Sequence, residues 1–291
     1  MKLIVRIKGG LGNQLFCYAA ARRLALISNA ELVIDDVTGF ARDELYRRRY
    51  VLDHFKIPCR KATSKERMEP FERYRRGLIK WLSRGRPFAA RRYVEQEGLD
   101  FDERLLGLQV SGTLYLDGLW QSERYFKDIE QTIRDDLRII PTEDALNQRM
   151  AEEIRNSNAV ALHVRWFDAP GSAASNNIST DYYKRAIALL DDKVDSSRYF
   201  LFSDAPGAAL EKLGLDEDRV TLVSHNKGDE SAFAELWLMT LCKHLIIANS
   251  TFSWWGAWLN PHEGKIVVAP KHWPANQADV KDILPQDWVK L

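Results

Sequence analysis

The sequence lacks a surplus of charge, a cysteine framework and a long apolar run, and each absence excludes a class of protein. Lys and Arg number 42 against 41 Asp and Glu, so the overall charge gives no reason to expect a nucleic-acid partner. Cys17, Cys59 and Cys242 are widely spaced in apolar surroundings, which argues against disulfides or a metal cluster. No apolar run approaches the roughly 18 residues of a membrane span. The chain opens on a strand instead of a cleavable signal, and we therefore expect a cytoplasmic protein.

The order of apolar and helical segments indicates the fold class. At 291 residues the chain is long enough for two domains of about 150 residues each. Strands alternate with helices, which is typical of parallel sheets wound by crossover helices. The predicted strands are 3–8, 31–36, 114–120, 159–165, 198–204, 220–225, 245–249 and 265–270. The predicted helices are 14–28, 123–137, 181–192, 207–213, 230–243 and 252–259. The seam is expected at Pro141, which gives domains 1–141 and 142–291.

The run from Asn249 to Gly256 places small polar side chains where an apolar strand ends and a helix begins. The first turn of a helix has unpaired N–H groups at the positive end of the helix dipole, so this junction suits a phosphate. The candidate ligands are Asn249, Ser250, Thr251 and Ser253. An alternative stays open, since Ser and Thr are ordinary helix caps and the tryptophans that follow also fit a core.

Polar residues also follow two other predicted strands of the second half. One strand runs into His163 and Arg165, and the next runs into Asp204. Ligands of open α/β sheets bind beyond the carboxyl ends of the strands. An arginine can donate two parallel hydrogen bonds to phosphate oxygens, and a carboxylate can accept from two neighbouring donors on guanine. Together these residues predict a nucleotide-diphosphate site, although a lone Asp after a strand often caps the next helix.

A glycine turn follows the opening strand, with Gly9, Gly10 and Gly12 before Asn13 and Gln14. The turn lacks both the dinucleotide fingerprint and the Lys-Ser/Thr of a P-loop. Glycines nevertheless let the backbone approach a ligand closely, and we expect Asn13 and Gln14 to face the cleft between the domains. A tight turn without a ligand fits the same residues equally well.

The segment 60–92 is strongly basic, with twelve Lys or Arg against three Glu. Apolar side chains are interleaved with these charges, which would let a helix lie on an anionic bilayer surface. These side chains are Phe71, Tyr74, Leu78, Ile79, Trp81 and Phe88. The segment is therefore a candidate for peripheral membrane contact. The alternative is a solvated helical insert whose apolar side packs on its own domain.

Four segments resemble glycosyltransferase family 11, the α-1,2-fucosyltransferases, and the resemblance runs nearly end to end. They are 9–16, 116–123, 202–204 and 242–260. The resemblance implies an α/β fold of GT-B type, in which two facing Rossmann-like domains have mainly parallel sheets. It implies that the C-terminal domain holds GDP-fucose, that the N-terminal domain shapes the acceptor side, and that the reaction needs no metal or other cofactor.

The resemblance also implies roles for particular residues. Arg165 of the His-x-Arg motif grips the β-phosphate and neutralises the departing GDP, with His163 beside it, and Asp204 reads the guanine. The donor is further held by Asn249, Ser250, Thr251 and Ser253. The acceptor side of the cleft is assigned to Gly10, Asn13, Gln14, Trp120 and Gln121.

The chain departs from the family pattern after the His-x-Arg motif. The pattern continues Arg-Gly-Asp-Tyr, whereas here Arg165 is followed by Trp166, Phe167 and Asp168. A bulky pair at this point would reshape the donor or acceptor pocket, which leaves the donor sugar open. Asp168 keeps the acid and is the first candidate for a general base. Glu235 is a second candidate, although a buried carboxylate satisfied by backbone or ribose hydroxyls is the alternative.

The predicted function is inverting, metal-independent transfer of L-fucose from GDP-β-L-fucose to the 2-hydroxyl of a galactoside. The acceptor is a galactose-terminated oligosaccharide or a lipid-linked glycan. Breaking the sugar–phosphate bond adds negative charge to GDP, which Arg165 and the helix N-terminus stabilise more in the transition state than before it. Two alternatives stay open, a glycosyltransferase that uses another GDP-sugar and a catalytically silent glycan-binding protein.

Overall fold

The computed structural model describes residues 1–41, 43–44, 46–69, 72–166, 177–275, 278–279 and 281–291. The chain divides into two compact units, Met1–Arg138 and Ile139–Leu291. Each unit is built around its own parallel sheet, which confirms the predicted α/β class with two Rossmann-like domains. The predicted seam at Pro141 lies a few residues beyond this division, in an exposed stretch.

The first unit is a five-stranded parallel sheet flanked by helices. Its strands are β1 (Lys2–Arg6), β2 (Glu31–Asp35), β3 (Arg60–Lys61), β4 (Tyr93–Glu95) and β5 (Thr113–Asp117). Its helices are α1 (Leu11–Ile27), α2 (Ser64–Arg67), α3 (Arg73–Arg84) and α4 (Glu130–Asp136). The strand order is β3-β2-β1-β5-β4. Leu3, Ile4 and Val5 are all buried, as a central parallel strand covered on both faces requires.

The second unit is a six-stranded parallel sheet with one short antiparallel pair beside it. Its helices are α5 (Ala145–Arg155), α6 (Thr180–Lys193), α7 (Pro206–Leu213), α8 (Ala232–Leu241) and α9 (Thr251–Leu259). The strands of the large sheet begin with β6 (Asn158–Val164), β7 (Ser197–Ser203), β8 (Val220–Val223), β9 (His244–Ile246) and β10 (Val267–Ala269). The pair is β11 (Pro274–Ala275) with β12 (Ala278–Asp279), and β13 (Val289–Lys290) completes the sheet. The order is β13-β10-β9-β6-β7-β8.

The core of the second unit explains why these segments pack. On β6, Val160, Leu162 and Val164 are buried and share a cluster with Tyr183 and Leu190 of α6. Ser179 caps α6 by accepting a hydrogen bond from the Tyr182 N–H at 3.3 Å, which satisfies a donor of the first helical turn. Alternate residues of β6 and one side of α6 therefore pack together in one continuous apolar layer.

In both sheets, the strand order reverses beside the first strand of the unit. β1 lies between β2 and β5, and β6 lies between β7 and β9. A crevice forms at the carboxyl ends of the strands at such a switch point, and it is where open α/β sheets hold ligands. The residues that follow β1, β5, β6 and β9 are consequently the first places to look for a site.

The basic segment 60–92 belongs to the first sheet instead of forming a separate insert. It begins with β3, which pairs with β2, and it ends immediately before β4. β3 and β4 are only two and three residues long. Strands this short do not show an alternating hydrophobic pattern, and the strand predictions missed both. No helix in the described ranges is long and apolar enough to cross a membrane.

Gly118 is predicted to be intolerant of any side chain. A Cβ atom there would lie 2.6 Å from the Cβ of Gln96 and 2.6 Å from the ring of Trp120, both closer than real contacts allow. We expect Gly118→Ala to lower the free energy of unfolding by roughly 1–3 kcal/mol, because a packed region must shift. Chemical denaturation measures this change.

Gly77, in the middle of α3, is the matched control, since no atom of the described residues lies within 4 Å of the position of its Cβ. Gly77→Ala should stabilise the protein by about 0.5–1 kcal/mol through helix propensity. Equal denaturation midpoints for Gly118→Ala and the unmodified protein would show that the close approach is not a constraint.

Candidate active site

The second sheet brings three of the predicted polar segments to one edge. Val164 is in register with Ser203, and Leu162 is in register with Ile246. Arg165 therefore follows β6 beside the point where Asp204 follows β7. The turn that leads into α9 follows β9, on the other side of β6. This edge is the switch point of the sheet.

Arg165 and Asp204 form an ion pair at this edge. The Arg165 Nη1 lies 3.4 Å from the Asp204 Oδ2, and the two side chains are 32% and 39% exposed. An exposed pair at this separation contributes little to stability. Both groups also remain accessible, so a ligand with phosphates and a polar base can contact them.

His163 contributes a neutral imidazole at the same edge of the sheet. It is buried at the end of β6, and its Nδ1 has no hydrogen-bond partner in the part of the chain that the structure describes. Burial, together with the positive charge of Arg165, lowers the pKa of His163 to about 3. The ring is therefore neutral at physiological pH, which suits a hydrogen bond to a ligand better than proton transfer.

The start of α9 offers a helix N-terminus to the same edge. Ser250 is the N-cap, and its carbonyl accepts a hydrogen bond from the Trp254 N–H at 3.0 Å. Its side chain makes no capping hydrogen bond within the described residues, and the first turn has no acidic side chain. Ser250 and Thr251 are half-buried there, while Asn249 is buried. The dipole of α9 consequently lacks a local negative charge.

Ser253 differs from its neighbours on α9. It is fully buried, and its hydroxyl donates to the Ser250 carbonyl at 3.3 Å, which fixes the first turn of the helix. Trp254, Trp255 and Trp258 are buried on the same helix. The core alternative thus applies to the tryptophans, while a role of Ser253 in binding a donor stays a prediction.

Glu235 on α8 belongs to the same electrostatic cluster. Burial and the negative charge of Asp204 raise the pKa of Glu235 to about 7, against the opposing effect of the positive charge of Arg165. No hydrogen-bond partner for its carboxyl occurs among the residues described. The hydroxyl of Tyr183 on α6 is also buried, close to the backbone of Arg165 and within range of the Asp204 charge, and no sequence pattern indicated it. A perturbed carboxylate beside a partly exposed ion pair is typical of a functional site.

Asp168 and Phe167 lie outside the described residues, so the predicted base stays a prediction. Trp166 is described, and it packs into the core of the second unit beside β6. The Lys212 Nζ lies 4.3 Å from the centre of its ring. Trp166, the first bulky residue that departs from the family pattern, therefore contributes to packing within this unit.

In the first unit, the structure brings together two predicted residues from separate turns. The Gln121 Nε2 donates to the Asn13 Oδ1 at 2.8 Å, which joins the turn after β5 to the start of α1. Gly9 has φ +76°, and a Cβ there would lie 2.8 Å from the Asn13 Nδ2, so glycine is required. Gly10 is the N-cap of α1. These groups lie at the switch point of the first sheet.

Gln14 and Trp120, also predicted for the acceptor side, are fully buried. The Gln14 Nε2 donates to the carbonyls of Gly9 and Arg49, and its Oε1 accepts from the Val51 N–H at 3.0 Å. Trp120 packs edge-to-face on Tyr125, with ring centres 5.6 Å apart. Both residues hold loops in place, and a contact of either with an acceptor stays a prediction.

The described residues contain no group of three or more His, Cys, Asp and Glu side chains that could hold a metal ion. The charged groups at the edge of the second sheet are instead the Arg165–Asp204 pair and the nearby Glu235 carboxyl. This edge combines a guanidinium, a helix N-terminus, a neutral imidazole and two carboxyls. Such a set can bind an anionic ligand that also carries hydrogen-bond donors.

The two parallel sheets with their flanking helices define a GT-B type fold of two Rossmann-like domains. The fold is shared with the crystal structure of the fucosyltransferase NodZ from Bradyrhizobium, with a TM-score of 0.54 and 19% identity. That match covers 89% of this chain and 92% of NodZ.

Sequence comparison gives the family. The model of Glycosyl transferase family 11 matches residues 86–291. The O-antigen biosynthesis glycosyltransferase WbnK of Escherichia coli is 32% identical over 98% of this chain and 99% of its own length. An alpha-1,2-colitosyltransferase of Escherichia coli is 27% identical over 99% of this chain and 98% of its own. The chain belongs to glycosyltransferase family 11.

Glu235 is predicted to make stability depend on pH. Its pKa is raised to about 7 in the folded protein, so its stabilising contribution is complete at low pH and is lost as pH rises through about 7. We expect Glu235→Gln to become more stable than the unmodified protein as pH rises from 4 to 8, by up to roughly 3 kcal/mol. Chemical denaturation across this pH range measures the difference.

Glu211→Gln, on the exposed side of α7, is the control and should change stability equally at every pH. A Glu235→Gln difference that stays constant with pH would mean that this carboxyl is not perturbed by its surroundings.

Proposed function

We propose that this glycosyltransferase transfers L-fucose from GDP-β-L-fucose to the 2-hydroxyl of a galactoside, with inversion and without a metal. One observation carries the proposal, namely the convergence of Arg165 and the start of α9 at the carboxyl ends of adjacent strands. Family membership and the fucosyltransferase-like fold support a GDP-sugar donor. A galactose-terminated oligosaccharide and a lipid-linked glycan are the proposed acceptors.

Colitose is the second candidate for the transferred sugar. The relative named alpha-1,2-colitosyltransferase aligns with nearly the whole chain. L-Fucose and colitose differ by a single hydroxyl, so one pocket can suit either sugar with few changes. The donor is therefore tested with both nucleotide sugars.

The mechanism depends on where negative charge develops. Cleavage of the sugar–phosphate bond leaves about one additional negative charge on GDP. Arg165 and the positive end of α9 are proposed to stabilise that charge more strongly as it grows. Because these groups already supply positive charge, a metal ion is not required in the proposal.

Asp204 and His163 are proposed to hold the nucleotide. Asp204 is partly exposed and can accept two hydrogen bonds from guanine once a phosphate replaces it as the partner of Arg165. His163 is neutral, so its ring can form a hydrogen bond without adding charge. Asn249, Ser250 and Thr251 are proposed to hold the diphosphate at the start of α9.

The acceptor hydroxyl must lose a proton during the displacement. We propose Asp168 as the general base because it follows the Arg165 strand closely in sequence. Glu235 is the second candidate, since a carboxyl with a pKa of about 7 is well matched to proton transfer at neutral pH. In the first unit, the hydrogen-bonded amides of Asn13 and Gln121 are proposed to contact the acceptor.

Arg165→Ala is predicted to lower kcat by roughly several hundredfold or more, comparable with loss of an oxyanion donor. The fold should stay intact, because the exposed ion pair contributes little to stability. Steady-state release of GDP measures the effect. Arg198→Ala is the matched control, since Arg198 pairs with Glu153 at the amino end of β7, and it should leave kcat within about twofold. Near-normal turnover by Arg165→Ala would contradict the role of Arg165.

A donor panel is predicted to yield product with GDP-fucose and β-galactosides, in EDTA as well as in magnesium. Mass spectrometry identifies the sugar transferred, and linkage analysis should show substitution at the galactose 2-hydroxyl. If product formed with GDP-colitose but not with GDP-fucose, the proposed donor sugar would be colitose instead of fucose. Loss of activity in EDTA with rescue by a metal would contradict the metal-independent mechanism. Binding of glycans without any GDP release would favour a silent binding protein.

A further inference from the structure

Helix α3 presents its apolar side chains to solvent. Tyr74, Leu78 and Trp81 are 82%, 55% and 69% exposed, and Leu82 is 46% exposed. At 3.6 residues per turn, these four positions share one side of the helix, which we name the outer α3 face. A surface helix of a globular protein normally turns such a stripe toward the core. Packing within this chain therefore does not explain the outer α3 face.

The opposite side of α3 is attached to the first unit by polar contacts. Arg76 forms an ion pair with Glu69 at 2.8 Å, and Lys80 pairs with Glu95. The Ser83 hydroxyl is buried and accepts a hydrogen bond from the Tyr93 N–H at 3.1 Å. These contacts fix which side of α3 faces inward, so the orientation of the apolar stripe is determined by the fold.

The chain around α3 is positively charged. Residues 73–92 contain eight Lys and Arg and no Asp or Glu. The acids that pair with this segment lie outside it, as with Glu72 for Arg75 and Glu97 for Arg91. The remaining cations without an ion pair in the described part of the chain are Arg73, Arg86 and Arg92, and all three are exposed. The segment that carries the apolar stripe therefore also carries exposed positive charge that no acid in the described ranges pairs with.

We propose that the outer α3 face binds the surface of an anionic lipid bilayer. Tyr and Trp side chains are well suited to the interface between headgroups and acyl chains, where Leu78 and Leu82 would also lose water. Exposed arginines beside the stripe would contact lipid phosphates. A second copy of this chain fits this face less well, because it would bring a second set of exposed arginines without ion pairs in the described residues against the first. The proposal does not depend on which sugar is transferred.

Co-sedimentation with vesicles tests the proposal. The unmodified protein should bind vesicles of phosphatidylglycerol and phosphatidylethanolamine, and binding to phosphatidylcholine alone should be at least about tenfold weaker. Leu78→Ser should weaken binding to the anionic vesicles by about tenfold, the expected loss for one apolar side chain. The triple variant Tyr74→Ser, Leu78→Ser, Trp81→Ser should abolish detectable binding.

Leu146→Ser is the matched control, because Leu146 is also 55% exposed but lies on α5 of the second unit. It should bind anionic vesicles like the unmodified protein. Circular dichroism and unchanged turnover of a soluble acceptor show that a variant is folded, so failure to bind membranes is distinguished from failure of the transferase proposal.

The charges are tested separately. Arg73→Gln, Arg86→Gln and Arg92→Gln together should weaken binding to anionic vesicles by roughly fivefold per charge at low salt. Equal binding of the triple apolar variant and the unmodified protein would overturn the proposal. A dimer that depends on the outer α3 face, without vesicle binding, would likewise overturn it and identify a second copy as the occupant.

Discussion

The site depends on one electrostatic constraint, which is that positive charge collects beyond the carboxyl ends of β6 and β9. Arg165 supplies a full charge, and the first turn of α9 supplies a dipole without an acidic side chain to offset it. Neighbouring parallel strands place both at one edge because their carboxyl ends point the same way. His163 is neutral because burial lowers its pKa, and the positive charge of Arg165 disfavours a second cation in addition.

Negative charge near Arg165 is limited by burial and by the Asp204 carboxylate that is already there. Asp204 is the ion-pair partner of Arg165. Burial and the negative charge of Asp204 keep a proton on Glu235 near neutral pH, although the positive charge of Arg165 opposes this. A phosphate-bearing ligand would compete with Asp204 for the guanidinium. Binding of a ligand at this site is therefore linked to the protonation of the partly buried Glu235 carboxyl. The Arg165–Asp204 ion pair alone would not create this link.

The two units use polar contacts differently. In the second unit, accessible polar groups gather at a switch point. In the first unit, the Gln14 amide instead forms hydrogen bonds that hold a loop, and the Ser83 hydroxyl forms one that holds α3. Since the inner side of α3 is satisfied by these polar contacts, its apolar side is left to solvent. The same chain thus presents a polar, phosphate-compatible edge in one unit and an apolar, cationic surface in the other.

The sequence by itself determined the longer strands, the crossover helices and the placement of Arg165, Asp204 and Asn249 after strands, because period and strand direction are local properties. It could not reveal β3, β4 or β13, which are too short to show a period. Only the tertiary structure decided that Glu235 joins the Arg165 cluster and which side of α3 faces solvent. Those outcomes depend on contacts between residues distant along the chain, which no local pattern encodes.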